Sequence, residues 1–172
     1  MINFFISYFY QIRNMSSNML PVSTAMYDPA WFHDGKGIGN RYLDKNCVVN
    51  GVRMNEVMMD AYRVADLIKA GSMCGPNCSH RAEEMCPYMQ EYAKCIRAKN
   101  PDFKQFITFC EGYVQFLNQK FNFGIDTIIF IVHENPLISC GERPVLQQWF
   151  EENGYELKEW SKDLWVKNNF IK

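Results

Sequence analysis

An excess of either charge is missing from this 172-residue sequence: 18 lysines and arginines stand against 19 acidic residues. Non-specific binding to nucleic acid needs a basic face, so broad binding of that kind is not expected. A heavily acidic DNA mimic is equally unsupported. No apolar run approaches the length of a membrane span. The opening "MINFFISYFYQIRN" has no Lys or Arg ahead of its apolar stretch, which a secretory leader would require. A soluble cytoplasmic protein with no membrane partner is expected. Internal repeats and low-complexity segments are absent. "GKGIGN", residues 35–40, is glycine-rich but matches neither the phosphate loop G-x-x-x-x-G-K-[ST] nor the dinucleotide fingerprint G-x-G-x-x-G.

What is present is apolar mass. The hydrophobic fraction is 48% and the aromatic fraction 15%, enough for one packed domain and against disorder. Seven cysteines are an odd number without a leader. Disulfides are therefore not expected, leaving metal binding, redox chemistry or burial.

Residues 3–10 read as a first strand, buried on both faces, and residues 19–26 as a second. Pro21 would put the second strand at an edge or delay its start. Residues 27–53 read as a long ordered loop, because Trp31, Phe32 and Tyr42 are costly to expose. Helices are expected over 54–71, over 82–98 with Met85, Met89, Tyr92 and Ile96 on one face, and over 101–121. The last has a wide apolar stripe and Asn100 as its cap. "DTIIFIVHE", residues 126–134, has the unbroken apolar character of a central parallel strand. A helix over 142–153, stopped by Gly154, and a strand in 155–160 complete a βαβ unit. The expected class is α/β: a small, mostly parallel sheet flanked by helices in a single domain spanning 1–172.

The junction "VHENPLISCGERPVLQQWF", residues 132–150, carries the densest chemistry. Ligands of open α/β sheets bind beyond the carboxyl ends of strands. The following helix starts either at Ser139, with Glu142 closing a capping box, or near Gly141, which suits Pro144 better. Either start puts Cys140 near the positive end of a helix dipole, where thiolate is favoured. Arg143 adds charge, and free N–H groups there would hold an anion. The candidate catalytic group is Cys140, Arg143 and Glu134, and the candidate anion-binding group is Arg143 and Arg13. Only two residues separate Cys140 from Arg143, so this is not the phosphatase loop, in which five do. The structural alternative is a packed thiol with Arg143 paired to a carboxylate. His133 and Glu134 are acid–base candidates, but neighbours on a strand face opposite ways. Arg13, Trp31 and His33 would reach the same edge if the long loop folds over it.

"CGPNCSHRAEEMC" spaces Cys74, Cys78 and Cys86, with Cys95 nine residues on, as a cysteine-rich insertion over about 72–95. C-x2–4-C spacing suits tetrahedral zinc, and thiolate softness favours zinc, then an iron–sulfur cluster, over magnesium. The candidate set is Cys74, Cys78, Cys86 and Cys95, with His80 or Cys140 as alternatives for the fourth ligand. Burial as small apolar side chains is the competing reading.

The stretch "IIFIVHENPLISCGERPVLQQWFEENGYELKEW" resembles the C-terminal signature of the DUF488 family: apolar strand, acidic residue, proline-containing loop, Cys, Arg, then a helix closed by Gly. Glu134, Pro136, Cys140, Arg143, Trp149 and Gly154 carry the likeness. "ISYFYQIRNM" and "LPVSTAMYDPAWF" resemble that family's first strand, Arg-containing turn and Pro-x-Trp. Where the family has Cys-His-Arg, this chain has Cys-Gly-Glu-Arg, one residue longer. The resemblance implies a fold and a site location and no particular reaction; the expected ligand, a small anion or nucleotide, follows from the helix start with Cys140 and Arg143. The chain also resembles small proteins carried by phages and mobile elements. That likeness implies a protein partner, such as a host defence nuclease inhibited by a metal-stabilised interaction module.

Overall fold

The computed structural model describes residues 1–24, 29, 32, 52–53, 87–133 and 141–162. The helix expected over 54–71, most of the loop over 27–53, and Cys74, Cys78, Cys86, Glu134 and Cys140 lie outside them. Five strands form one sheet: β1 (Asn3–Tyr8), β2 (Met19–Ser23), β3 (Val52–Arg53), β4 (Thr127–Val132) and β5 (Lys158–Glu159). Their order across the sheet is β3-β2-β4-β1-β5, and every pairing is parallel. Three helices are described: α1 (Pro87–Lys99), α2 (Phe103–Phe121) and α3 (Glu142–Glu152). The α/β class is as expected.

β4 is the spine. All six of its residues are buried, as a strand paired on both edges and covered on both faces must be. Register divides the sheet's side chains. Phe4, Ile6, Leu20, Val22, Ile128 and Phe130 share one face, while Ser7, Ser23, Ile129 and Ile131 share the other. Aromatic rings cover the first face: Phe130 lies 6.3 Å from Phe106 of α2 and 5.7 Å from Phe150 of α3. Trp149 packs 4.9 Å from both Phe103 and Phe106.

Several local expectations are corrected. The first strand stops at Tyr8, and Phe9–Asn14 winds into a 3-10 helix that buries Phe9 and Ile12. The run stays apolar through that change because both elements face the core. β2 ends at Ser23 and is an interior strand, not an edge strand. Pro21 is tolerated there because Thr24 donates toward β4, so alternation turns the Pro21 nitrogen to the other side. On that side the ladder with β3 begins only at Val22, paired with Val52. Val52 and Arg53, expected in the loop, are that strand. Asn100 closes α1 through Nδ2 to the Ile96 carbonyl, and Asp102 caps α2 instead, accepting from the N–H groups of Lys104 and Gln105. Gly154 behaves as read: its φ of 81° lets Gly154 N–H reach the Glu151 carbonyl and Tyr155 N–H reach Phe150.

Candidate functional site

Because the strands are all parallel, their carboxyl ends share one edge. The chain leaves β1 toward β2, crossing β4 with residues 9–18 alone. It leaves β4 in the opposite direction, crossing β1 through α3 to reach β5. β2 continues outward to β3, so the connections diverge between β2 and β4. Such a switch point is where open α/β sheets hold ligands. Thr24 joins the two strand ends there, its N–H and Oγ1 each donating to the Ile131 carbonyl at 3.0 Å. In the chain, residues 25–51 follow β2 and residues 134–140 follow β4, the two stretches that the sequence marks out.

α3 begins after the second of these. Gly141 is its N-cap, in extended conformation and with no side-chain cap bond. The capping box from Ser139 is thereby excluded, because Glu142 is the first helical residue rather than the third. Pro144 sits third, where a helix makes no intrahelical bond through that N–H.

Arg143, second in α3, is buried, and its Nε donates to Oε2 of Glu159 on β5 at 2.8 Å. Only 10% and 19% of the two side chains are exposed. A cation at a helix N-terminus opposes the dipole. Glu159 offsets that, so Arg143 pairs with a carboxylate as the structural alternative required. Burial pushes the Glu159 carboxyl up from the usual carboxylate range, and Arg143 pulls it partly back. Its Oε1 is buried without a hydrogen-bond partner. Glu159 is the residue that sequence reasoning missed.

Arg13 is in the last turn of the 3-10 helix. Its guanidinium carbon lies 3.8 Å above the Tyr10 ring, and its Nε donates to the Tyr10 carbonyl at 3.0 Å. Tyr8 and Tyr10 are nearly parallel, 15° apart with centroids at 6.4 Å. Glu159 stands opposite Ile6, and Tyr8, two residues on, shares that face one step nearer the carboxyl edge. His133 lies exposed at the end of β4, its ring 4.8 Å from Phe9.

The metal expectation falls mainly outside the described residues. Of its four cysteines only Cys95 is described, half-buried on α1 and packed against the core. Among the described residues no group of three or more His, Cys, Asp or Glu is arranged to hold a metal. Cys95 and Cys110 are free thiols. Burial pushes the Cys110 thiol far up, with Glu111 adding to it, so Cys110 is a neutral packing group on α2. No helix among the described residues is long and apolar enough to cross a membrane.

A cleft of about 570 Å³ opens at the opposite, amino edge, where Met1, Glu111, Asn118 and Asp126 line it. Two of its polar side chains are structurally engaged. Asn118 clamps Ile125 through both its amide atoms, and Asp126 Oδ1 accepts from Asn18 and Thr127. No protein-family model, curated protein or solved structure matches the chain.

Proposed function

We propose that this chain is a DUF488-like α/β protein whose carboxyl edge binds a small anionic ligand, the mononucleotide class included. One observation carries the reading: the helix that follows the central strand in the chain has Arg143 fixed in its first turn by Glu159. In this reading Arg13 attracts the anion, while Arg143, its Nε committed to Glu159, holds the helix start in position. Cys140 and Glu134, on the connection itself, supply thiol and carboxyl chemistry.

Calorimetric titration with ribose 5-phosphate and with inorganic phosphate tests the site. Both probes are expected to bind, and Arg13→Gln is expected to weaken binding roughly tenfold, about the worth of one charge-assisted contact. Wild-type affinity in Arg13→Gln, or no binding to either probe at millimolar concentration, defeats the proposal. The thiol has its own measurement. Iodoacetamide at pH 6.5 is expected to alkylate one cysteine faster than all the others, and Cys140→Ser is expected to remove that fast phase. A fast phase that survives the substitution places the reactive thiol elsewhere.

A further inference from the structure

The aromatic content of this edge goes beyond what anion binding requires. The 3-10 helix is anchored by Phe9 and Ile12, which are 7% and 0% exposed, yet it leaves Tyr10 57% exposed. Single exposed aromatics are ordinary. Tyr10 is not single, because Tyr8 lies nearly parallel to it and Arg13 covers part of it. The centroids of the two rings are 6.4 Å apart. Tyr8 is held in place by its hydroxyl, which accepts from Gln11 Nε2 at 3.2 Å. Arg13 is held by its Nε bond and by the ring beneath it. That bond leaves the two terminal nitrogens of Arg13 pointing to no protein acceptor among the described residues.

Resting on the reading of this edge as an anion site, we infer that its ligand also carries a planar aromatic ring, which stacks on the Tyr8–Tyr10–Arg13 platform. The class that joins a flat ring to an anion at this scale is the mononucleotide. Aromatic faces accept any base, and guanidinium planes stack on bases as well. Arg13 then serves twice, stacking beside the ring and donating its outer N–H groups to the phosphate. A nucleic-acid polymer is the wrong occupant, because 18 basic against 19 acidic residues give no extended basic track for successive phosphates.

The experiment compares the four nucleoside 5′-monophosphates with ribose 5-phosphate, by calorimetry, on the full chain. At least one monophosphate is expected to bind roughly tenfold or more tightly than ribose 5-phosphate, the contribution of one stacked base. Tyr10→Ala is expected to erase that preference, weakening the monophosphate far more than ribose 5-phosphate, and Tyr10→Phe is expected to retain it. Tyr10 is largely outside the core, so both variants should fold, which circular dichroism checks. If all the monophosphates bind no better than ribose 5-phosphate, the platform is refuted and the anion site stands. A preference that survives Tyr10→Ala also refutes the platform. If no probe binds, the platform and the anion site fall together.

Discussion

Arg143→Ala is expected to lower stability at pH 7 by about 3 kcal/mol, the cost of leaving one member of a buried ion pair without its partner. For a chain of this length that corresponds to a fall of roughly 6–12 °C in Tm. The partner is Glu159, whose Oε2 takes the 2.8 Å bond and whose Oε1 has no other donor. The loss should depend on pH, and its sign follows from the raised Glu159 pKa. Between the unfolded and folded pKa values the native state keeps a proton that the unfolded chain has released. Stability from this group therefore falls as pH rises through that window and is recovered as pH drops below it. Removing Arg143 takes away the attraction that opposes burial, so the window widens upward. Urea melts should show a larger defect at pH 7 than at pH 5. The double variant Arg143→Met with Glu159→Leu should recover most of the loss, since a packed apolar pair needs no desolvation. A single variant within 0.5 kcal/mol of wild type at pH 7 would show that the pair does not fix α3 to β5.

Phe150→Ala should cost more, about 4 kcal/mol, in the range for deleting a fully buried aromatic ring. Phe150 is 0% exposed and meets five other rings: Phe4 at 5.7 Å, Phe103 at 5.0 Å, Phe106 at 6.0 Å, Phe130 at 5.7 Å and Trp149 at 5.8 Å. Those rings come from β1, β4, α2 and α3, and no single neighbour can collapse into the space. Edge-to-face pairs add to the burial term, so Phe150→Leu should recover only part of the loss. Phe116→Ala, on the exposed side of α2 with Phe116 51% exposed, is the control and should stay within about 0.5 kcal/mol. Equal effects for Phe150→Ala and Phe116→Ala in urea denaturation would overturn this view of the core.

These two sites show what was legible in the sequence. β4 and the buried face of α2 follow from local pattern: an unbroken apolar run, and apolar residues at helical spacing such as Phe103, Phe106, Cys110, Val114 and Leu117. Gly154 and Pro144 are equally local, because each obeys the stereochemistry of a helix end. Glu159 was not legible. Its role depends on β5 pairing with β1 and on α3 crossing above both, and in the string it is one charged residue in "LKEW". Arg143 does announce the need for a carboxylate, but Glu142, Glu151, Glu152, Glu156 and Glu159 all stand nearby in sequence. Pro21 misled because the edge rule was applied to a whole strand, whereas a parallel ladder tests one nitrogen at a time. The choice between Asn100 and Asp102 as cap turned on which residue the preceding helix had already used.

The sheet order also sets a schedule. β1 and β2 both pair with β4, and neither pairs with the other. The gap from Ser23 to Thr127 is roughly a hundred residues, so a ribosome adding about 5–20 residues per second needs roughly 5–20 s to cross it. During that interval "NFFISY" and "MLPVS" have no β4 to lie against. The nascent chain thus carries two sticky segments, and their safety rests on whatever shields them until Thr127–Val132 emerges.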